Sequence, residues 1–317
     1  HIPSLLFAAA KLRWFRVHRP EAYARIAAVL TLPDWLLSRL SDVMLSEPSL
    51  AGEAGLLDIG SREWSSDLME EQGLVGNGHV PLVDAGTVAG SVRSGVAAEV
   101  GIAAGTPVVI SGADTQCGLL GMGVIREGQA GVVAGWSVSL QAVTGVPRLA
   151  AAKQTWAGCF LTPGAWVLES SAGDAGNSYR WLADTVWGGG PQAFAEMDAQ
   201  ASAAPPGADG TLALLGPTRM DMGATGLRQG GILFPVPMTM TEIHRGHLAR
   251  AAMEGVAFAV RTNLRQAEDV ARHAIEEIAV GGGMTLSSTW TRVLVDVLGR
   301  QVKVSPAPNV SAAGAFL

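Results

Sequence analysis

Apolar residues recur at helical spacing near the start of the chain: Leu5, Leu6, Ala9 and Leu12, joined by Trp14 and Phe15. This pattern predicts helix over 4–32, broken at Pro20 and resumed from Glu21 to Leu30. Pro33-Asp34-Trp35-Leu36-Leu37 predicts a fresh helix start, because proline suits a first turn. Residues 45–60 are rich in turn formers, Trp64 to Gln72 reads as an amphipathic helix, and Val80 to Val92 suits short extended segments. Pro107 to Ile110 is an apolar run that predicts a buried strand, with Gly112 allowing a tight exit. Asp114 follows at once, heading an apolar, glycine-rich segment that can start a helix.

From Gly128 the pattern changes. Ala130 to Val143 predicts a β-hairpin with Gly135 and Ser137 in its turn. Trp166 to Glu169 suits a strand and Asp174 to Trp187 a helix. Gly188-Gly189-Gly190-Pro191 and Ala201 to Gly210 read as loops. His247 to Val270 is the clearest helix, with Leu248, Ala251, Ala252, Gly255, Val256, Phe258 and Ala259 on one crowded face. A strand at Ile278 runs into Gly281, Gly282 and Gly283, and Trp290 to Leu298 is helical. The last residues, 311–317, read as the start of another helix, and with no Met at position 1 the chain reads as part of a longer protein.

Composition narrows the class. With 317 residues, 48% of them hydrophobic, there is material for two domains and a large core. The net charge of −6 argues against nucleic acid as a partner. The basic residues among 1–30 fit a solvated helix face. No uninterrupted apolar segment is long enough for a membrane span. Two cysteines, Cys117 and Cys159, make no disulfide framework and fit a reducing cytoplasm.

Three motifs carry candidate chemistry. Asp114, at the carboxyl end of a strand where a helix begins, stands where open α/β sheets place ligands, and a helix N-terminus favours its negative charge. The same position suits a helix-capping Asp, and on local residues alone capping comes first. The hairpin turn at Gly135 and Ser137 can aim N–H groups and a hydroxyl at a phosphate, although an ordinary hairpin explains the same residues more simply. The three glycines let a ligand lie against bare backbone. No Gly-Lys-Ser/Thr follows them, so they are not a Walker loop. Glu254, on the long helix, could meet a ligand or pair with Arg250 or Arg261.

Taken in order and spacing, these blocks resemble the FGGY family of carbohydrate kinases. Residues 109–123 are similar to the family's Gly-Gly-Gly-Asp block, and 131–145 to its phosphate hairpin. Residues 247–257 are similar to its second signature helix, and 281–302 to its adenosine loop and helix, with Asp296 and Gly299 in place. Pro33-Asp34 and Ser49-x-Ala51 match its amino-terminal domain. The resemblance implies an α/β fold of two actin-like, ribonuclease H-like domains with an active-site cleft between them. Residues 1–127 would form an incomplete sugar-binding domain, without the phosphate-binding strand that opens the family. Residues 128–317 would form the nucleotide-binding domain.

The implied activity is ATP-dependent phosphorylation of a hydroxyl on a small sugar or polyol. The resemblance makes Asp114 the general base, with Thr115 and Gln116 beside it touching substrate. Gly135, Trp136, Ser137, Gly281, Gly282, Gly283, Met284 and Ser287 would face the nucleotide. ATP and Mg²⁺ are the implied cofactors, and the resemblance leaves room for a homodimer in the cytoplasm. Residues 111–143 are similar to xylulokinases and to autoinducer-2 kinases alike, so xylulose-like sugars and an autoinducer-2-type dihydroxypentanedione both stand as substrates. Trp136 replaces the usual Thr of the phosphate hairpin, and Arg292 the usual Gln of the adenosine helix. A non-catalytic actin-like sensor of sugar or nucleotide is the alternative; Trp136 favours it, and Asp114 favours an enzyme.

Overall fold

The computed structural model describes residues 7–74, 78–152, 154–216, 218–224, 229–236 and 242–317. It divides into two compact units, His1–Cys117 with Gly145–Pro147 and Gly158–Val167, and Gly118–Thr144 with Arg148–Ala157 and Leu168–Leu317.

The first unit is mostly short helices: α1 (Ala8–His18), α2 (Pro20–Ala24), α3 (Leu32–Ser41), α4 (Pro48–Gly52), α5 (Ser66–Gln72) and α6 (Ser94–Val100). Two antiparallel pairs accompany them, β1 (Leu57–Asp58) with β2 (Glu63–Trp64), and β3 (Val88–Ser91) with β4 (Pro107–Val109). The start at Pro33 holds, because Thr31 and Asp34 close a capping box around it. Leu5 and Leu6 lie outside the described residues. The expected run to Leu30 stops at Ala24, where Arg25 and Ile26 bond back only three residues. Val29 then turns its N–H to the Gly78 carbonyl at 2.8 Å, pairing across the fold instead of along a helix.

Trp64 belongs to β2, and the Ser65 hydroxyl caps the helix that follows it. The strand expected to be buried at Pro107 to Ile110 is not. Among the described residues β4 pairs with β3 alone, so Val109 is half exposed, and only Ile110, beyond its end, is buried. Helix α7 (Asp114–Gly121) then leads the chain into the second unit.

The second unit is built on a six-stranded sheet in the order β12-β11-β5-β6-β8-β7. Its strands are β5 (Gln129–Ala134), β6 (Val138–Thr144), β7 (Trp156–Cys159), β8 (Trp166–Ser171), β11 (Glu277–Gly281) and β12 (Val302–Val304), of which Gly158, Cys159, Trp166 and Val167 are counted with the first unit. A separate antiparallel pair comprises β9 (Leu212–Leu214) and β10 (Gly231–Leu233). The helices are α8 (Ala175–Trp187), α9 (Gly190–Ala203), α10 (Arg245–Ala271), α11 (Ser288–Leu298) and α12 (Val310–Phe316).

Strand alternation explains how this sheet is covered. Val132 and Val280 point into the main core with Met253, Leu264, Trp290 and Leu294 of α10 and α11. Their neighbours Gly131 and Gly281 point the other way, where a Cβ would meet Leu119, Met122 and Val310. Glycines there let the α7 segment and α12 sit directly on the strands. Helix α9 corrects the loop expected around Gly188 to Pro191. Pro191 stands in its first turn, where the missing N–H costs nothing, and Ala193, Met197 and Ala201 are buried along it.

The predicted hairpin is present, with Val133 opposite Ser139 and Ala134 opposite Val138. Its tip is seated on the start of α8: Asn177 N–H donates to the Trp136 carbonyl at 2.8 Å. A Cβ on Gly176 would lie 1.9 Å from the Gly135 oxygen. Gly176→Ala should therefore cost about 1–3 kcal/mol through overpacking, despite alanine's better helix propensity. Urea unfolding measures this; a gain in stability would show that the hairpin tip is not seated there.

Candidate functional site

The acidic candidate lies in the first unit. Asp114 is the first residue of α7 and is exposed. Its carboxylate accepts the Thr115 hydroxyl at 3.2 Å and takes no backbone N–H among the described residues. It is not the helix cap. Ala113 stands in that place, its carbonyl accepting from Cys117 N at 2.9 Å. The carboxylate at this helix start therefore sits in the positive field of the helix without capping it. Thr115 is half-buried, and Gln116 is buried with its amide nitrogen unpartnered among the described residues.

Glu47 underlies this turn and was overlooked in the sequence, where it sits among turn-forming residues. It is fully buried, at 0% exposure. Its Oε2 accepts from Ser49 N at 2.8 Å, from Leu50 N at 3.3 Å, and from the Ser49 hydroxyl. The Ser49 hydroxyl in turn accepts Ala113 N–H at 2.9 Å. Arg62 approaches Glu47 Oε1 at 3.9 Å while donating to the Phe160 carbonyl and to Asp84. Burial pushes the Glu47 carboxyl up from 4.5 to about 7, against the opposing pull of these donors and of Arg62. A glutamate preceding Pro-Ser at a helix start was the one available signal, since it can accept the first N–H groups.

The glycine candidates lie in the second unit, and the sheet brings them together. Strands β5 and β11 are parallel and adjacent, with Gly281 opposite Val133. The hairpin turn of Gly135, Trp136 and Ser137 and the turn of Gly281, Gly282 and Gly283 therefore leave the sheet at the same, carboxyl end. That is where α/β sheets hold ligands.

The three glycines do different work. Gly281 leaves space for Val310 and Met122. Gly282 has φ +102°, and a Cβ on it would lie 2.7 Å from the Ala134 carbonyl oxygen. Gly283 and Gly135 face open space, with nothing within 4 Å of a Cβ. Bare backbone is thus available to a ligand at Gly283 and Gly135, whereas Gly281 and Gly282 serve close packing. The Ser137 hydroxyl has no partner among the described residues. The Trp136 indole is 70% exposed at the hairpin tip. Met284 packs against the main core, and Ser287 caps α11 while donating to Asp198. Glu254 pairs with Arg250 at 2.7 Å and accepts Gly207 N–H.

Residues 2–121 match the N-terminal domain of the FGGY family of carbohydrate kinases, and residues 136–317 match its C-terminal domain. This chain belongs to that family. Autoinducer-2 kinase of Klebsiella pneumoniae subsp. pneumoniae is 30% identical over 98% of this chain and 59% of its own length. A xylulose kinase of Rhodospirillum rubrum shares 26% identity with a TM-score of 0.79, over 99% of this chain and 62% of its own. A structure from Brucella ovis, described as a xyloylose kinase, shares 27% with a TM-score of 0.82, over 97% of this chain and 62% of its own. The chain thus spans about three fifths of these relatives. The two-domain, actin-like α/β fold expected from the resemblance is the fold of these FGGY structures.

Both cysteines are free and buried, and burial pushes both thiols up, Cys159 to about 11. Among the described residues no helix is long and apolar enough to cross a membrane.

Two stability predictions follow from this geometry. Gly282→Ala should cost about 1–3 kcal/mol through strain and backbone collision, whereas Gly283→Ala should leave the melting temperature almost unchanged. Equal losses would mean that the two glycines share one role. The raised Glu47 pKa makes the folded state hold a proton between pH 4.5 and about 7 that the unfolded chain lacks. Its contribution is greatest below pH 4.5 and is lost as pH rises through about 7. Glu47→Gln should flatten that part of the melting-temperature profile, and an unchanged slope would assign it to other groups.

Proposed function

We propose that this chain is the catalytic part of a kinase that transfers the γ-phosphoryl group of ATP to a hydroxyl of a small sugar or polyol. One observation carries the reading: Asp114 holds an exposed carboxylate at the head of α7 that caps nothing. Family membership supplies the reaction class. Asp114 would take the proton of the acceptor hydroxyl as that oxygen bonds to the γ-phosphorus and ADP leaves. Phosphoryl transfer asks the protein chiefly for positioning and charge neutralisation. Gly135 and Gly283 would meet the nucleotide with bare backbone and Ser137 with its hydroxyl, and Trp136 would flank it. Thr115, which bonds Asp114, and Gln116 would lie on the sugar side. Residues 1–127 would thus serve the sugar and 128–317 the nucleotide, in the cytoplasm.

Among the described residues no group of three His, Cys, Asp or Glu side chains could hold a metal by itself. The chain accordingly fits a Mg²⁺ carried largely by nucleotide phosphates, which needs only one or two carboxylates and keeps several waters. When bound, such an ion neutralises phosphate charge. The acceptor is a xylulose-like sugar or an autoinducer-2-type dihydroxypentanedione, a reading supported by relatives named autoinducer-2 kinase and xylulose kinase.

The test uses the protein that carries this sequence, with ADP release measured over a panel of ketoses, polyols and dihydroxypentanedione. Asp114→Asn keeps shape but cannot accept the proton, so turnover should fall about 10²–10⁴-fold with ADP affinity unchanged. Turnover near the parental value would remove Asp114 from the mechanism. ADP binding without turnover on any acceptor would favour a sensor.

A further inference from the structure

The turn that presents Asp114 rests on a buried polar pair. A Cβ on Gly112 would lie 2.7 Å from Ser49 Oγ and 3.1 Å from Glu47 Oε2, so the backbone at 112–113 sits directly against both side chains. Ala113 N–H is the orphan donor immediately before Asp114, and its partner is the Ser49 hydroxyl at 2.9 Å. That hydroxyl passes its own proton toward Glu47 Oε2, which also holds the first N–H groups of α4. The other oxygen, Oε1, is buried without a hydrogen bond. Ordinary capping of a five-residue helix does not require a hydroxyl that reaches 64 residues along the chain.

We propose that Ser49 and Glu47 are positioning residues for Asp114, the Ser49 hydroxyl gripping the Ala113 N–H and Glu47 fixing the direction of that hydroxyl. The proposal rests on Asp114 being the base. An ionised Glu47 is an acceptor only, so the Ser49 proton must point at it and a Ser49 lone pair must point at Ala113. Hydrogen bonds to the charged form are roughly twice as strong as neutral ones. Protonation at the unpartnered Oε1 therefore loosens the grip without breaking it. Arg62 faces Glu47 from the loop after β1, with Asp84 beyond it. Cys117 on α7 and Cys159 on β7 also face it, and Asp114 and Asp58 lie within range of those thiols. Both thiols stay protonated through neutral pH, so neither competes with Glu47 for its proton there.

The experiment combines amide hydrogen exchange at Ala113 with kinetics, in the protein carrying this sequence. Ser49→Ala should speed Ala113 exchange at least tenfold and lower kcat about 10–100-fold, with ADP affinity unchanged. Ser49→Thr, which keeps the hydroxyl, should recover most of both. The Ala113 protection factor should fall as pH drops through about 7 in the parent and stay level in Glu47→Gln. Parental Ala113 protection in Ser49→Ala overturns the proposal, as does a kcat in Ser49→Thr as low as in Ser49→Ala. If Ser49→Ala does not fold, a parental pH dependence of protection in Glu47→Gln overturns it instead. Exchange separates this idea from the function itself: retained turnover in Asp114→Asn would refute the base, whereas unchanged exchange in Ser49→Ala would refute the grip.

Discussion

The parallel pairing of β5 with β11 is the constraint on which the second unit depends. Both are interior strands of the six-stranded sheet, in register from Glu277 with Gln129 to Gly281 with Val133. Their register decides that the hairpin tip and the glycine turn emerge side by side. It also explains the small residues. Gly131 admits Leu119 and Met122, Gly281 admits Val310, and Gly282 lies against the Ala134 backbone. A side chain at any of these points would push apart layers that dense packing holds together. The resulting end of the sheet is rigid beneath and open above, where Gly135 and Gly283 face free space.

The first unit solves a different problem. The proposed role of Asp114 calls for an exposed carboxylate on a well-held turn, and that carboxylate accepts no backbone N–H of the turn among the described residues. The holding is delegated to Ser49 and Glu47, 64 and more residues earlier in the chain. A buried carboxylate is costly, and the elevated Glu47 pKa records that cost. Three donors on Oε2 and Arg62 beside Oε1 offset it. Phosphoryl transfer draws most of its rate from placement and charge, so support under the proposed base suits the family's chemistry.

The second unit also shows how polar side chains are drawn into structural work. Ser287 begins α11, and Asp198 from α9 binds it together with Thr289. Glu254, open in sequence to a ligand or an ion pair, is held by Arg250 four residues before it on α10 and accepts the Gly207 N–H. In both cases the partner on another element is invisible to local spacing.

Local pattern by itself determined the elements whose signals are short-range: the hairpin at Gly135, the strand and glycine turn at Gly281, the long α10, and the helix headed by Asp114. Each depends on periodicity or turn chemistry within about a dozen residues. The blocks at 109–123, 131–145, 247–257 and 281–302 were enough to indicate the family. Only the tertiary structure decided the rest. It showed β4 half exposed, because an apolar run cannot tell how many strands will flank it. It ended α2 at Ala24, because Val29 had a partner at Gly78. It made α9 a helix despite Gly-Pro at its start, since Met197 and Ala201 gain burial there. It separated the glycines that pack from those that face space, and found the Ser49–Ala113 bond under Asp114, because both depend on backbones brought together from distant parts of the chain.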